Sequence, residues 1–418
     1  MNAAWSLTRR TFTVAVPLVA CSLVASASVP ASSSRTAGHG DTGRSADQLS
    51  PAVMSVFPQD DPNDPFYKNG LQWNLKSGAG INAREAWKSS LGSGVVIAVI
   101  DSGYTPHSDL QLSGADKKYL PGVTIISRKN RENPNGGAYY SNDALDTGTG
   151  HDANFCRQGE RAVDSAWHGT AVMGIAAAAT NNEKYIAAVA PDAVILPIRV
   201  EGPCGIADTD IATAVQWLGG YSVPGLDDLE RNTPKVVNIS VGGAQGACKD
   251  HNKTAFEILD LLEIVVVLAA TNGDEHGNPL RAGNTYPLNC SQSAIVVGAV
   301  DKLGNIMPGS GRGGGGREID VVAPGVAVQT LKNTGTRGPD RDTVEADDGT
   351  SFAAPHVAGI AALILAKYPK LKPPLVKKAI METARDGQCK DNGGNQCGKG
   401  LVDANAALNR ARELNGEK

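Results

Sequence analysis

Six consecutive apolar residues, Val95-Val96-Ile97-Ala98-Val99-Ile100, run directly into Asp101-Ser102-Gly103. A strand that is apolar on both faces must be covered on both faces, which selects a parallel sheet packed between helices over a sheet with one wet side. Comparable segments return at 193–200, 235–240, 263–270, 294–300 and 319–322, and the chain between them reads as helix. This alternation predicts an α/β fold with a doubly wound, mostly parallel sheet flanked by helices. Reacting groups in such sheets gather at the carboxyl ends of the strands, which is where Asp101 stands.

Two further segments supply groups that could work with Asp101. Gly349-Thr350-Ser351-Phe352-Ala353-Ala354-Pro355-His356 opens a small-residue apolar run ending at Lys367 and puts a serine at the start of a helix. Backbone N–H groups there lack helical partners, and the dipole favours negative charge beside them. Trp167-His168-Gly169-Thr170 opens a second small-residue helix, with Gly169 allowing a close backbone approach and His168 a candidate base. Taken singly, each residue has a plainer reading: an N-cap serine, a turn-forming aspartate, a packed or surface histidine. Together, in the order Asp, His, Ser and separated by 67 and 183 residues, they resemble the three catalytic blocks of the subtilisin-like serine protease family. The resemblance covers roughly 63–412. His107, beyond the turn after Asp101, and His356, inside the serine's own helix, are read as structural.

The resemblance implies a serine endopeptidase that acts on proteins or peptides through an acyl-enzyme. Ser351 would be the nucleophile, His168 the base, Asp101 its orienting partner and Asn272 the side-chain oxyanion donor. Ser240-Val241-Gly242 is similar to the edge that pairs with the substrate backbone, and the stretch around Gly205 to the opposite edge. Ala269, Ala270 and Thr285 match the walls and base of the primary side-chain pocket. Two positions depart from the family pattern: Ala171 and Val172 stand where a second histidine is usual, and Thr271 replaces the glycine before Asn272. The competing reading is a catalytically idle fold of this family used as a secreted binding protein.

Asn63-Asp64, His107-Ser108-Asp109 and Thr180-Asn181-Asn182 look like the calcium-ligand segments of thermitase-like members of the family. Asp64, Asp109 and Asn182 would begin an oxygen shell, completed by carbonyls near Ala179, Lys184 and Ile186. The acidic loop bearing Asp143 and Asp146, with Asp152, offers oxygens for a second ion, but the reading preferred is a solvated loop.

Arg9-Arg10 precedes an apolar stretch from Thr13 to Ala25, and Ala25-Ser26-Ala27 offers a cleavage pattern, so residues 1–27 read as an export signal with a twin-arginine-like start. Leu18-Val19-Ala20-Cys21 also resembles a lipoprotein processing site, although the apolar segment before it is short. Residues 28–60 read as a flexible polar segment, too short and too polar for the folding-assistant propeptide usual in the family, and 61–418 as one peptidase domain. Of seven cysteines, six remain beyond the leader, and an even set in an exported chain reads as disulfides. The family resemblance implies pairing of neighbours: Cys156–Cys204, Cys248–Cys290 and Cys389–Cys397. A net charge of -4 without a basic block gives no case for nucleic acid, and neither a transmembrane segment nor an oligomer is expected.

Overall fold

The computed structural model describes residues 61–417 apart from 113–116, 128–139, 230–233, 275 and 392–393. The export signal, Cys21 and the polar segment to residue 60 lie outside the described residues. Among the described residues, twelve strands follow in chain order: β1 (Val96–Asp101), β2 (Val123–Ile125), β3 (Tyr140–Ser141), β4 (Val194–Arg199), β5 (Glu201–Gly202), β6 (Gly205–Ile206), β7 (Val236–Ile239), β8 (Val265–Ala269), β9 (Ile295–Val300), β10 (Val321–Pro324), β11 (Val328–Asn333) and β12 (Asp342–Asp347). The helices are α1 (Pro65–Lys68), α2 (Ala83–Trp87), α3 (His168–Ala177), α4 (Asp208–Leu218), α5 (Asp250–Leu261), α6 (Thr350–Lys367), α7 (Pro373–Glu382) and α8 (Ala404–Leu414).

Eight strands form the main sheet in the order β10-β9-β8-β7-β1-β4-β2-β3. Every neighbouring pair is parallel except β2 with β3. β1 lies between β4 and β7, where the strand order changes direction, and that is the crevice position for a site in an open α/β sheet. The uninterrupted apolar run of β1 has the expected cause. Ile97 and Val99 join the core packed under α3 and α6, while Ala98 and Ile100 join the opposite core under α4 and α5. Full burial of each larger side chain contributes about 2 kcal/mol.

The last sheet strand begins two residues later than 319–322 suggests, at Val321. Asp320 is occupied otherwise: its carboxylate accepts a hydrogen bond from Val296 N at 2.8 Å and pairs with Arg317 and Lys377 at 3.2 and 2.9 Å. The hairpin of β11 and β12 is a further difference. The mostly polar β12 alternates only two apolar residues, Val344 and Ala346, and its partner β11 packs on α3, where Thr330 Oγ1 donates to Ala171 O at 2.7 Å.

α6 runs through the core. Ala353, Ala354, Ala358, Ala361 and Ala362 are fully buried, and such small side chains let strands and helices close around the backbone. Among the described residues it is the helix long and apolar enough to cross a membrane, and 89% of that window is buried inside the protein. Three disulfides join Cys156 to Cys204, Cys248 to Cys290 and Cys389 to Cys397.

Candidate active site

Asp101 is the last residue of β1, fully buried, and His168 is the first of α3. Close backbone packing brings them together. A Cβ on Gly169 would lie 2.2 Å from Gly103 O, so only glycine lets the helix start settle against the loop that follows Asp101. Ser102 fastens the junction: its N–H donates to Asp101 Oδ1 at 2.7 Å, its hydroxyl accepts from Gly169 N at 2.9 Å, and the same hydroxyl donates to Asp146 at 2.9 Å. Asp146 is fully buried beneath the site, so the expectation of a solvated acidic loop is corrected there. Asp152 is exposed and pairs with Arg337 at 3.2 Å.

His168 Nδ1 and Asp101 Oδ1 are 2.7 Å apart. Burial alone would depress the imidazole pKa, but the charge and hydrogen bond of Asp101, aided by the charge of Glu201, hold it above the ordinary 6.5, at about 9. The protonated ring is therefore favoured, and the neutral ring appears only at higher pH than in a free histidine. NMR titration should place the His168 transition above 6.5, and Glu201→Gln, which removes one negative neighbour, should move it downward. A transition at or below the free value would show that burial dominates.

Ser351 is the second residue of α6, where its N–H has no helical acceptor. Pro355 lies four residues on and brings no N–H to the Ser351 carbonyl. The Ser240 hydroxyl takes that place at 2.9 Å, itself held by Asn238 Nδ2 at 2.9 Å. In return the Ser351 hydroxyl donates to Ser240 O at 2.9 Å. The nucleophile candidate is thus parked on the end of β7 in this structure.

Asn272 follows β8. Its Oδ1 accepts from both the N–H and the hydroxyl of Thr350, at 2.9 and 3.0 Å, which fixes the amide and leaves Nδ2 as its donor edge. His168, Ser351, Asn272 and Thr271 line one cleft of about 400 Å³. Thr271 holds φ at 80°, a left-handed conformation that disfavours a β-branched residue, and its buried hydroxyl has no partner among the described residues. Thr271→Gly should therefore raise stability by about 1 kcal/mol, read from denaturant unfolding. A loss of stability would mean that packing of the threonine outweighs its strain.

The cleft is also lined by Ser240, Val241, Gly242, Ala269, Leu280, Pro287, Leu288, Glu201 and Ile206. Two of the pocket residues expected from sequence stand back from it. Ala270 is 1% exposed, with its N–H bonded to Val297 O at 3.0 Å. Thr285 is equally buried, and its hydroxyl donates to Arg281 O at 2.9 Å. Alternation along the end of β8 turns Ala269 and Thr271 to the cleft and Ala270 away. Gly205 stands in β6 opposite Gly202, and its neighbour Ile206 is the residue that reaches the cleft. Leu280, Pro287, Leu288 and Glu201 were not anticipated. Glu201 was the most detectable, as an acidic residue immediately after an apolar strand.

The two histidines read as structural, His107 and His356, are committed elsewhere. His107 bonds Thr343 O at 3.1 Å through Nε2 and accepts Asp109 N through Nδ1 at 3.1 Å. His356 contacts Phe352 O at 2.8 Å and Asn74 Nδ2 at 2.8 Å, and burial lowers its pKa to about 4. Both have structural roles.

A model of the Subtilase family matches residues 92–400. The chain belongs to the subtilase family. It is 37% identical over 354 residues to an extracellular protease of Xanthomonas campestris pv. campestris, an alignment that covers 84% of this chain and 57% of that protein. An extracellular basic protease of Dichelobacter nodosus is 33% identical over 365 residues, covering 85% and 57%. A solved structure of proteases from Pseudoalteromonas arctica is similar with a TM-score of 0.75 at 36% identity, covering 84% of this chain and 100% of that one. This subtilase thus spans 57% of the length of the two extracellular relatives. Its family match contains Asp101, His168, Asn272 and Ser351.

A second cluster in this subtilase has the chemistry of a cation site. Asp64 and Asp109 are both fully buried. Asp64 accepts Asn181 N at 2.8 Å, and Asp109 accepts Asn182 Nδ2 at 2.9 Å and Ile186 N at 3.0 Å. Burial raises the pKa of both carboxyls, that of Asp109 to about 6 with the charge of Asp64 contributing. Two buried, mutually repelling carboxylates supply hard oxygens of the kind calcium takes, while Asn182 turns Nδ2 to Asp109 and its Oδ1 accepts from Lys184 N at 2.9 Å. His151, Cys156 and Glu160 also converge, but the Cys156 sulfur is bound in a disulfide.

Proposed function

We propose that this chain is an exported serine endopeptidase that hydrolyses peptide bonds in proteins. The observation that carries the reading is the contact of 2.7 Å between His168 and Asp101 beside a cleft that also receives Ser351 and Asn272. An extended substrate would pair with the edge at Ser240, Val241 and Gly242 and with the opposite edge at Gly205 and Ile206. It would set its carbonyl carbon against Ser351 Oγ once that hydroxyl leaves Ser240 O.

Ser351 Oγ then bonds to the carbonyl carbon while its proton passes to neutral His168, and Asp101 stabilises the imidazolium that forms. The carbonyl electrons move onto oxygen, where Asn272 Nδ2 and the Ser351 N–H stabilise the charge. Collapse breaks the carbon–nitrogen bond, with the His168 proton going to the leaving amine. Water repeats the sequence on the acyl-enzyme, returning the serine and releasing an acid.

Export is supported by the leader-like N-terminal sequence, by three disulfides and by the extracellular naming of the two relatives. Calcium, where it binds, would be held by Asp64, Asp109 and Asn182 and would supply charge neutralisation rather than chemistry. The presence of all four catalytic groups argues against an idle binding fold. A fluorophosphonate probe should label the wild-type protein at Ser351, as read by mass spectrometry, and leave Ser351→Ala unlabelled. An intact, folded wild type that takes no label and cleaves no casein would overturn the proposal.

A further inference from the structure

Glu201 stands in the cleft without a chemical role in the reaction above. It is half-buried in β5 and lines the same space as His168, Ala166 and Ile206. Among the described residues, no hydrogen bond or ion pair reaches its carboxylate. Its surroundings provide no full neutralisation either. Asp101 and Asp146 repel it, while Arg199 and His168 attract it, and burial pushes its pKa up to about 7. An acidic group held this way, open to a cleft, is stabilised by an incoming cation.

The ribbon that carries it is well defined. Glu201 faces Ile206 across the short β5–β6 pair, and the turn between those strands is tied by the disulfide from Cys204 to Cys156. Ile206 gives this end of the cleft an apolar wall next to the carboxylate. That combination suits a side chain with a long apolar stem and a terminal positive charge.

Extended-chain geometry says which substrate residue arrives here. Successive side chains of a strand point to opposite sides. If the residue that carries the scissile carbonyl enters the pocket formed by Ala269, Thr271, Leu280 and Leu288, the residue before it points toward His168 and Glu201. We propose that Glu201 is a specificity-determining residue that selects lysine or arginine at the second position before the cleaved bond. This inference rests on the peptidase reading.

The test uses two chromogenic peptides that differ only in lysine or leucine at that position. Wild type should show kcat/KM at least about tenfold higher for the lysine peptide, with the preference growing as pH rises through about 7 and Glu201 ionises. Glu201→Gln should bring the ratio close to one, and Glu201→Asp should keep most of it. Because the ratio is internal to each variant, a general loss of activity does not imitate the result. Binding of the same peptides to Ser351→Ala, measured by calorimetry, separates this inference from the catalytic one. Selective binding of the lysine peptide that is lost with Glu201→Gln supports the acidic subsite even if wild type hydrolyses neither peptide, an outcome that would sink only the peptidase reading. A ratio unchanged by Glu201→Gln, a wild type that prefers leucine, or unselective binding overturns it.

Discussion

Ser351→Ala and His168→Ala should each lower kcat for peptide hydrolysis by about 10⁴-fold or more, and the double variant should be no slower than the worse single one. That magnitude comes from subtilisin, a member of the same family, rather than from this structure. Non-additivity follows from the shared proton: a serine without its base and a base without its serine leave the same residual catalysis from binding and the oxyanion donors. Ser351→Ala removes the hydroxyl bond to Ser240 O but keeps the Ser240 bond to the Ser351 carbonyl, so the start of α6 should stay folded. Steady-state kinetics beside a thermal melt checks both halves. Wild-type turnover by purified Ser351→Ala would end the assignment.

Calcium in large excess should stabilise the protein by about 4 kcal/mol, the mass-action value at roughly a thousand times the dissociation constant. The measurement belongs in the Ser351→Ala background, where self-digestion cannot mimic unfolding. Its pH dependence has a defined sign. Asp109 has a folded-state pKa raised from 3.8 to about 6, so the metal-free protein has this contribution in full below about 3.8 and loses it as pH rises through about 6. Asp64 acts in the same direction. Calcium binds the ionised carboxylates and offsets their repulsion, so the loss on chelation should grow over that same window. Asp109→Ala should remove most of the calcium dependence. Identical melting with and without chelator would refute the site and leave the protease proposal untouched.

The sheet was legible because its strands are buried on both faces: an unbroken run such as 95–100 has few alternatives to a covered parallel strand. β12 was not, because Asp342–Asp347 is mostly polar and owes its place to pairing with β11. The candidate triad was readable because each member sits at an element boundary marked by small residues or glycine. The cleft walls were harder, since facing depends on single-residue phase at the end of a strand, and that phase put Ala269 and Thr271 inside and Ala270 behind. Asp146 was misread as solvated because nothing local marks a loop carboxylate that Ser102, 44 residues away, draws into the interior.

If the chain is the proposed peptidase, the exchange between Ser240 and Ser351 bears on when it becomes dangerous to itself. Pro355 denies the first turn of α6 a helical bond, and the missing partner comes from the tip of β7, 111 residues earlier. The turn that presents the nucleophile is therefore completed by tertiary docking and not by helix formation alone. Asp101 and His168 likewise meet only when the loop after β1 packs on Gly169. A half-folded chain, whose loops are the easiest prey for a protease, is thus unarmed. On the peptidase proposal, cutting power would emerge together with the packed core that protects the chain from being cut.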